Sequence, residues 1–306
     1  MEDVRTIKLI SEAGQTIVIS EDGTDYVLDQ DGLDLGSVSS THNMTQYIDL
    51  IGQHLDTTIL SPRDITIVGW VIGANLTEIN KHKKLLNKAI NPMCKVKLEI
   101  GNYALSFVPD SSVQYSTEWN YNNRYMCKFQ IQGTAPMPLY TLKDYTVIHQ
   151  TAEKLSSFHF PFSIPKETGV KLGYYSLEST LSTINEGDVE NGLVMTLTVK
   201  EGTVTNPKII NSTTGDQIEL KMTLGTEDKL VIDTQIGQQT VTLVQGTKET
   251  NAMKYLTLES DIDMALALGH NRILATADSK EEKYNLHLYA EFTPRFLEVE
   301  GREDED

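Results

Sequence analysis

The sequence predicts a mainly β protein with two domains: an N-terminal β-sandwich-like domain crossed by one amphipathic helix, and a C-terminal antiparallel β-sandwich. Three observations lead there. Short runs of alternating apolar residues recur along the chain, parted by glycine- and acid-bearing turns. Only one segment holds helical periodicity over several turns. And 306 residues exceed what one core usually serves, because single cores stop growing beyond roughly 250 to 300 residues.

In chain order, "TIKLI", "QTIVIS" and "DYVLD" read as strands separated by Glu-Ala-Gly and Glu-Asp-Gly turns. From Glu12 to Asp34 there are seven acidic residues and no basic one, the composition of a solvated face. "RDITIVGWVIG" reads as a strand buried on both faces, or as one bulged at Gly69. In "NLTEINKHKKLLNKAINP", Asn75 stands where a helix cap is needed, with Glu78 three residues on. Ile79, Leu86 and the Ala89/Ile90 pair share one face, and Asn91-Pro92 ends the helix.

Gly101-Asn102, between "VKLEI" and "YALSFV", predicts a two-residue hairpin loop in which glycine takes the positive φ. The strand "RYMCKFQIQG" is expected to put Tyr125, Cys127, Phe129 and Ile131 on one side. Two prolines in "TAPMPLY" break regular structure, so the domains are drawn as 1–145 and 146–306. "FHFPFSIP" follows as an irregular edge segment.

From Gly192 the strand rhythm is nearly continuous. Leu193, Met195, Leu197 and Val199 alternate, then Ile218, Leu220, Met222 and Leu224, and the series closes on "NLHLYAEF". "NPKIINSTTGDQIEL" sits in this series, and its hydroxyls, glycine and carboxylate suit a hairpin corner, Gly215-Asp216 turning the chain. "SDIDMALALGHNRI" fits either a helical turn or a strand with a tight turn at Gly269.

Composition narrows the function classes. Against 26 Lys and Arg stand 43 Asp and Glu, a net charge of −17, which repels phosphate backbones and anionic lipid. Residues 146–306 carry 14 basic and 26 acidic residues, the more acidic half. No stretch approaches the roughly 20 apolar residues that span a bilayer, and no secretion signal is expected.

Cys94 and Cys127 lack zinc-ligand spacing and read as packed residues. GxSxG, P-loop, GxGxxG and HExxH patterns are absent from the sequence, so no catalytic residue is assigned. Asp188 with Glu190, and Asp261 with Asp263, are acidic pairs weighed for a cation. The expectation is no metal and no cofactor.

The order of these pieces resembles the distal tail protein family of siphophage-type tails. In the N-terminal half the likeness lies in "RDITIVGWVIG", the helix, the "VKLEIGNYALSFV" hairpin and "FQIQGTAPMPLY". In the C-terminal half it lies in "FHFPFSIP", "NEGDVENG", "NPKIINSTTGDQIELKMTL", "DKLVIDT", "TVTLV" and "LALGHNRI". The resemblance implies a non-enzymatic virion component, made in the host cytoplasm and carried at the distal end of the tail. It implies a hexameric ring built by the N-terminal domain, and an outer C-terminal sandwich that is galectin-like in fold. The partners it implies are the tail tube protein, the tail-associated tip protein and receptor-binding proteins, with genome DNA passing through without specific binding.

Six lysines (Lys81, Lys83, Lys84, Lys88, Lys95 and Lys97) crowd the helix and the next strand, with no acid until Glu99. In a chain of this charge they are candidate intersubunit contacts, expected to meet an acidic surface such as Glu12 to Asp34 on a neighbour. The alternative function is a carbohydrate-binding module for host cell-wall recognition. Trp119 with Tyr121, or Tyr174 with Tyr175, would then form the aromatic platform that sugars stack on.

Overall fold

The structure is a computed structural model, described here for residues 5–47, 51–143, 146–150, 155–156, 173–174, 180–279 and 285–299. It is mainly β with one α-helix. The chain forms two compact units, Met1–Asp144 with Phe296–Asp306, and Tyr145–Arg295.

In the first unit, strands β1 (Thr6–Ser11), β2 (Thr16–Ser20) and β3 (Tyr26–Asp34) are followed by β4 (Ser40–Thr45), β5 (His54–Leu60) and β6 (Arg63–Ile72). After helix α1 (Leu76–Ala89) come β7 (Val96–Ile100), β8 (Tyr103–Pro109), β9 (Gln114–Tyr115), β10 (Met126–Ala135) and β11 (Tyr140–Leu142). One sheet runs in the order Arg295–Phe296, β11, β8, β7, β1, β2, β3, β6, β10, β9. A further pairing of β8 with β10, Val108 opposite Thr134, rolls it onto itself. The inward row of each strand, among them Ile7, Leu9, Ile67, Leu98, Phe107 and Phe129, fills one core.

Helix α1 follows the local rules of its sequence. Asn75 Oδ1 accepts from the Glu78 N–H at 3.0 Å, and Glu78 reaches back to the Ala74 N–H at 2.7 Å. Two donors that a helix start leaves unpaired are thereby satisfied. Ile79, His82, Leu86 and Ala89 are its buried face.

Two expectations for this unit fail. β6 is buried on one face only, and Gly69 sits in regular register between Leu28 and Phe129; the register shift lies in β3. A Cβ on Gly69 would stand 2.8 Å from Phe129 Cζ and 2.6 Å from the Val27 carbonyl oxygen, so the glycine is there to admit a ring from the next strand. Tyr125 leaves the face shared by Cys127, Phe129 and Ile131 and is exposed. Asn123 Oδ1 accepts from the N–H groups of both Tyr125 and Met126, turning the chain before β10 begins.

The second unit stacks two antiparallel sheets on one core. Six strands run in the order Val147–Gln150, Leu286–Phe292, Val194–Val199, Asp228–Asp233, Thr240–Gln245, Lys248–Asn251; four run Thr180–Asn185, Gly269–Thr276, Lys208–Asn211, Gln217–Glu219. Met195, Leu197, Ile232 and Leu288 of the first sheet meet Ile209, Ile218 and Ile273 of the second in a single cluster. Alternation with period two is what this packing requires of each strand.

The Thr213–Asp216 stretch is a hairpin corner. Gly215 has φ 90°, the Asn211 side chain accepts from the Thr213 N–H at 3.0 Å, and Thr214 donates to Asp216 at 2.7 Å. The ambiguous later segment resolves as a strand and a tight turn, with Gly269 at φ 77°. "FHFPFSIP" lies outside the described residues.

Candidate functional site

The six lysines do not form one strip. Lys81, Lys84 and Lys88 recur at i, i+3 and i+7, which places them on one face of α1 away from the core, and all three are exposed. Lys83 turns toward the sheet, its Nζ 4.9 Å from the centre of the Tyr115 ring and 3.5 Å from Asn122 Oδ1. Lys97 pairs at 3.0 Å with Glu99, a buried carboxylate that also meets Lys143 at 3.2 Å and Lys8 at 3.6 Å. Burial pushes the Glu99 carboxyl up, but hydrogen bonds and charge from Lys97 and Lys143 override it and hold it below the ordinary carboxylate range. Lys95 is exposed, and its backbone N–H donates to Glu12 at 3.2 Å.

Much of the acidic Glu12 to Asp34 segment is engaged within its own chain. Besides Glu12, Asp29 pairs with Lys128 at 2.6 Å, Asp22 accepts from Ser20 Oγ at 2.8 Å and Asp34 accepts from the Gly36 N–H at 2.9 Å.

Trp119 and Tyr121 both lie on the loop 116–125, between β9 and β10. Trp119 is 80% exposed and Tyr121 41%. The Tyr121 ring lies 5.9 Å from Trp70, and Lys128 Nζ stands over both rings at 5.3 and 5.7 Å. Tyr174 belongs to the short strand Gly173–Tyr174, paired with Leu155–Ser156. Its side chain and the whole of Tyr175 lie outside the described residues.

Two hollows lie among the described residues. One of about 450 Å³ beside α1 is lined by Val18, Thr24, Asp25, Lys81, His82 and Leu85. His82 donates from Nδ1 to the Ile72 carbonyl at 2.8 Å, while the Tyr26 hydroxyl donates to the His82 carbonyl at 2.9 Å. Burial, and then the charge of Asp25, pushes the Tyr26 phenol up to about 12. The histidine is a helix anchor.

The other hollow, about 410 Å³, gathers Glu190, Thr214, Asp216, Asp261 and Asp263. Among the described residues no group of His, Cys, Asp or Glu is arranged to hold a metal ion. Asp216 accepts from the Thr214 hydroxyl within its own turn, and Asp261 accepts from the Gln217 N–H of a remote strand. Among the described residues, too, no helix is long and apolar enough to cross a membrane.

Sequence reasoning passed over the segment between β3 and β6. There β4 and β5 pair only with each other, as a two-stranded ribbon in which every residue is exposed. Met44 stands opposite Leu55 across the ribbon and Ile59 opposite Thr41, and Met44, Leu55 and Ile59 are each at least half exposed. The signal available was apolar residues without a consistent buried face, followed by an arginine that turned out to be buried.

Residues 186–296 match the family described as siphovirus-type tail component, C-terminal domain. Among solved structures, the chain is similar to the SPP1 Dit (gp 19.1) protein, described as a paradigm of the hub adsorption apparatus in phages that infect Gram-positive hosts. The identity is 11%, the coverage 95% of this chain and 99% of that one, and the TM-score 0.63. Weaker likenesses reach the phage P2 baseplate in its activated conformation, with Ca at 13% identity, 94% and 97% coverage and TM-score 0.45, and with Sr at 13%, 94% and 98% and 0.46. No curated protein matches. Residues 186–296 thus resemble the C-terminal domain of siphovirus-type tail components, and they lie in a fold similar to that of the SPP1 hub protein along nearly the whole chain.

Proposed function

We propose that this protein is the ring-forming hub at the distal end of the tail. The first unit assembles with copies of itself into a hexamer that continues the tail tube, and the second presents a sandwich on which tip and receptor-binding proteins dock. Its action is geometric: repeated contacts close a channel for the genome, with no catalysis. A chain of net charge −17 suits such a channel, because weak repulsion keeps DNA from adhering in transit.

The β4–β5 ribbon is the observation that carries this reading. A two-stranded ribbon is marginal by itself in water, and this one exposes both faces with aliphatic side chains on them. It has the form of an element completed by another molecule.

Negative-stain imaging of the purified protein, with its mass measured across concentration, tests the proposal. A six-fold annulus is the expected result. A single globule at every concentration overturns it.

A further inference from the structure

We propose that the loop 116–125 is a carbohydrate-binding site. It takes a pyranose ring of an uncharged polysaccharide, with Trp119 as the stacking surface and Asn120 and Asn122 bonding its hydroxyls. The site lies within one chain and does not depend on the ring reading.

The loop holds its aromatic residues out in water. Trp119 is 80% exposed, Tyr125 56% and Tyr121 41%, although burial would favour each of them. The backbone that carries them is tied down. The Ser116 N–H donates to the Lys128 carbonyl at 3.0 Å, the Lys128 N–H to the Tyr121 carbonyl at 2.7 Å and the Asn123 N–H to the Met126 carbonyl at 2.9 Å. Between these ties the Tyr121 N–H donates to the Glu118 carbonyl at 3.0 Å, so Trp119 and Asn120 are the central pair of a turn. The Tyr121 ring is backed by Trp70 at 5.9 Å and by Lys128, which Asp29 holds at 2.6 Å. Rings on an ordered backbone meet a ligand with little further loss of conformational freedom.

The chemistry around the rings selects the ligand. Val, Leu and Ile are absent from residues 116–125, and the exposed side chains beside the aromatics are those of Thr117, Glu118, Asn120 and Arg124. Asn122 is half-buried, with its Oδ1 3.5 Å from Lys83 Nζ. A carboxamide both donates and accepts, as a sugar hydroxyl does. The C–H face of a pyranose is weakly positive and lies against the electron-rich face of an indole, leaving its hydroxyls to the polar rim. Aromatic surface with a few convergent polar groups is the common make-up of small-ligand sites.

Charge points the same way. Glu118 and Arg124 cancel, and Lys128 is neutralised by Asp29, so the loop is close to neutral within a chain of net charge −17. Such a chain repels a polyanion. A neutral polysaccharide meets no such barrier.

The test uses the full-length protein. It is screened on a printed array of neutral and charged glycans, and maltohexaose, cellohexaose, chitohexaose and the strongest array binder are then titrated by calorimetry. The expected result is saturable binding of a neutral glycan, weakened about tenfold or more by Trp119→Ala. Trp119→Phe, which keeps a ring, should retain much of it. Val18→Ala, at an exposed apolar position of another strand, should change nothing. Circular dichroism checks each fold, and should Trp119→Ala misfold, Asn120→Ala carries the test, again with weakened binding expected.

Binding of no neutral glycan overturns the proposal, and so does binding that Trp119→Ala leaves untouched. Ring assembly lost in a folded Trp119→Ala, with no glycan bound by the wild type, would make the loop a protein contact instead. A wild-type protein that stays single yet binds the glycan would remove the ring reading and keep this one; rings without glycan binding would do the reverse.

Discussion

The two units handle buried polarity in different ways. Among the described residues, the first buries Arg63, Glu99 and His82, whereas the second buries only neutral groups: Thr183, Asn185, Asn191, Asn211, Thr234 and Asn271. Arg63 reaches the carbonyls of Leu35 and Gly36, the Tyr140 hydroxyl at 3.0 Å, the Leu297 carbonyl and, at 3.8 Å, the Glu298 carboxylate. One guanidinium thus ties together chain segments that are remote in sequence, using the fork of donors that arginine alone carries. The asparagines of the second unit are neutral, and they join local turns to remote strands: Asn185 donates to the Val189 and Leu266 carbonyls and Asn211 to the Ala265 carbonyl. Asn271 closes its own turn on Ala267 and Gly269, and Asn211 holds a hairpin corner. Charged clamps and neutral amide clamps should fail differently, and that difference can be measured.

Arg63→Ala is the largest break. It leaves the buried Tyr140 hydroxyl and several part-buried carbonyls without their donor, at a cost of about 3–5 kcal/mol to the first unit. Both tryptophans, Trp70 and Trp119, lie in that unit, so tryptophan fluorescence during urea unfolding reports it alone. Its midpoint should fall sharply while the second unit's transition, followed by far-ultraviolet circular dichroism, stays in place. Removing residues 296–306 should act in the same direction. Phe296 packs edge-on to Tyr103 at 5.7 Å, and Leu297 is an Arg63 partner. A truncated chain with unchanged fluorescence midpoint would mean the returning segment does not hold the first unit.

Asn211→Ala is the matching break in the second unit. The side chain is fully buried, donates to the Ala265 carbonyl at 2.9 Å and accepts from the Thr213 N–H. Losing both leaves two part-buried backbone groups without these partners and a cavity where the amide was packed, about 2–3 kcal/mol. The circular-dichroism transition should move and the fluorescence midpoint should not. Movement of both would show that the units do not unfold separately.

Gly69→Ala sharpens the comparison inside the first unit at a cost of about 1–3 kcal/mol, because the new methyl must displace both the Val27 carbonyl and the Phe129 ring. It also marks the limit of sequence reading. The helix, its Asn75 cap and the turns at Gly101 and Gly215 were legible because their reasons lie within a few residues. Gly69 was misread because its reason is a ring sixty residues on.

The lysines show the same limit. Spacing could not separate the free face of Lys81, Lys84 and Lys88 from Lys83, which turns to Tyr115 of another strand, or from Lys97, which pairs with Glu99 in a cluster that Lys143 and Lys8 complete. The β4–β5 ribbon escaped notice because apolar periodicity reports burial, and neither of its faces is buried in this chain. Tyr125 was assigned to the wrong face because strand parity was carried back past the Asn123 turn. The hollow that gathers Asp216, Asp261 and Asp263 required tertiary structure to see, since its acids come from segments more than forty residues apart.

The smallest effect, and the most specific to ionic burial, is the pH response of Glu99. Its folded titration lies below the ordinary carboxylate value of 4.5, so folding favours the charged form. That stabilisation is complete above the unfolded value and is lost as pH falls through the lowered folded one. On acidification from about pH 5 to pH 3, the fluorescence midpoint of the wild-type protein should fall more steeply than that of Glu99→Gln. The variant should be the less stable of the two at pH 7, since Lys97, Lys143 and Lys8 then surround a neutral amide. An acid slope that survives Glu99→Gln unchanged would put the first unit's acid sensitivity elsewhere and dissolve the contrast between charged and neutral clamps. Asn211→Ala supplies the control, because no amide titrates in this range, and the midpoint it lowers in the second unit should be lowered equally at both pH values.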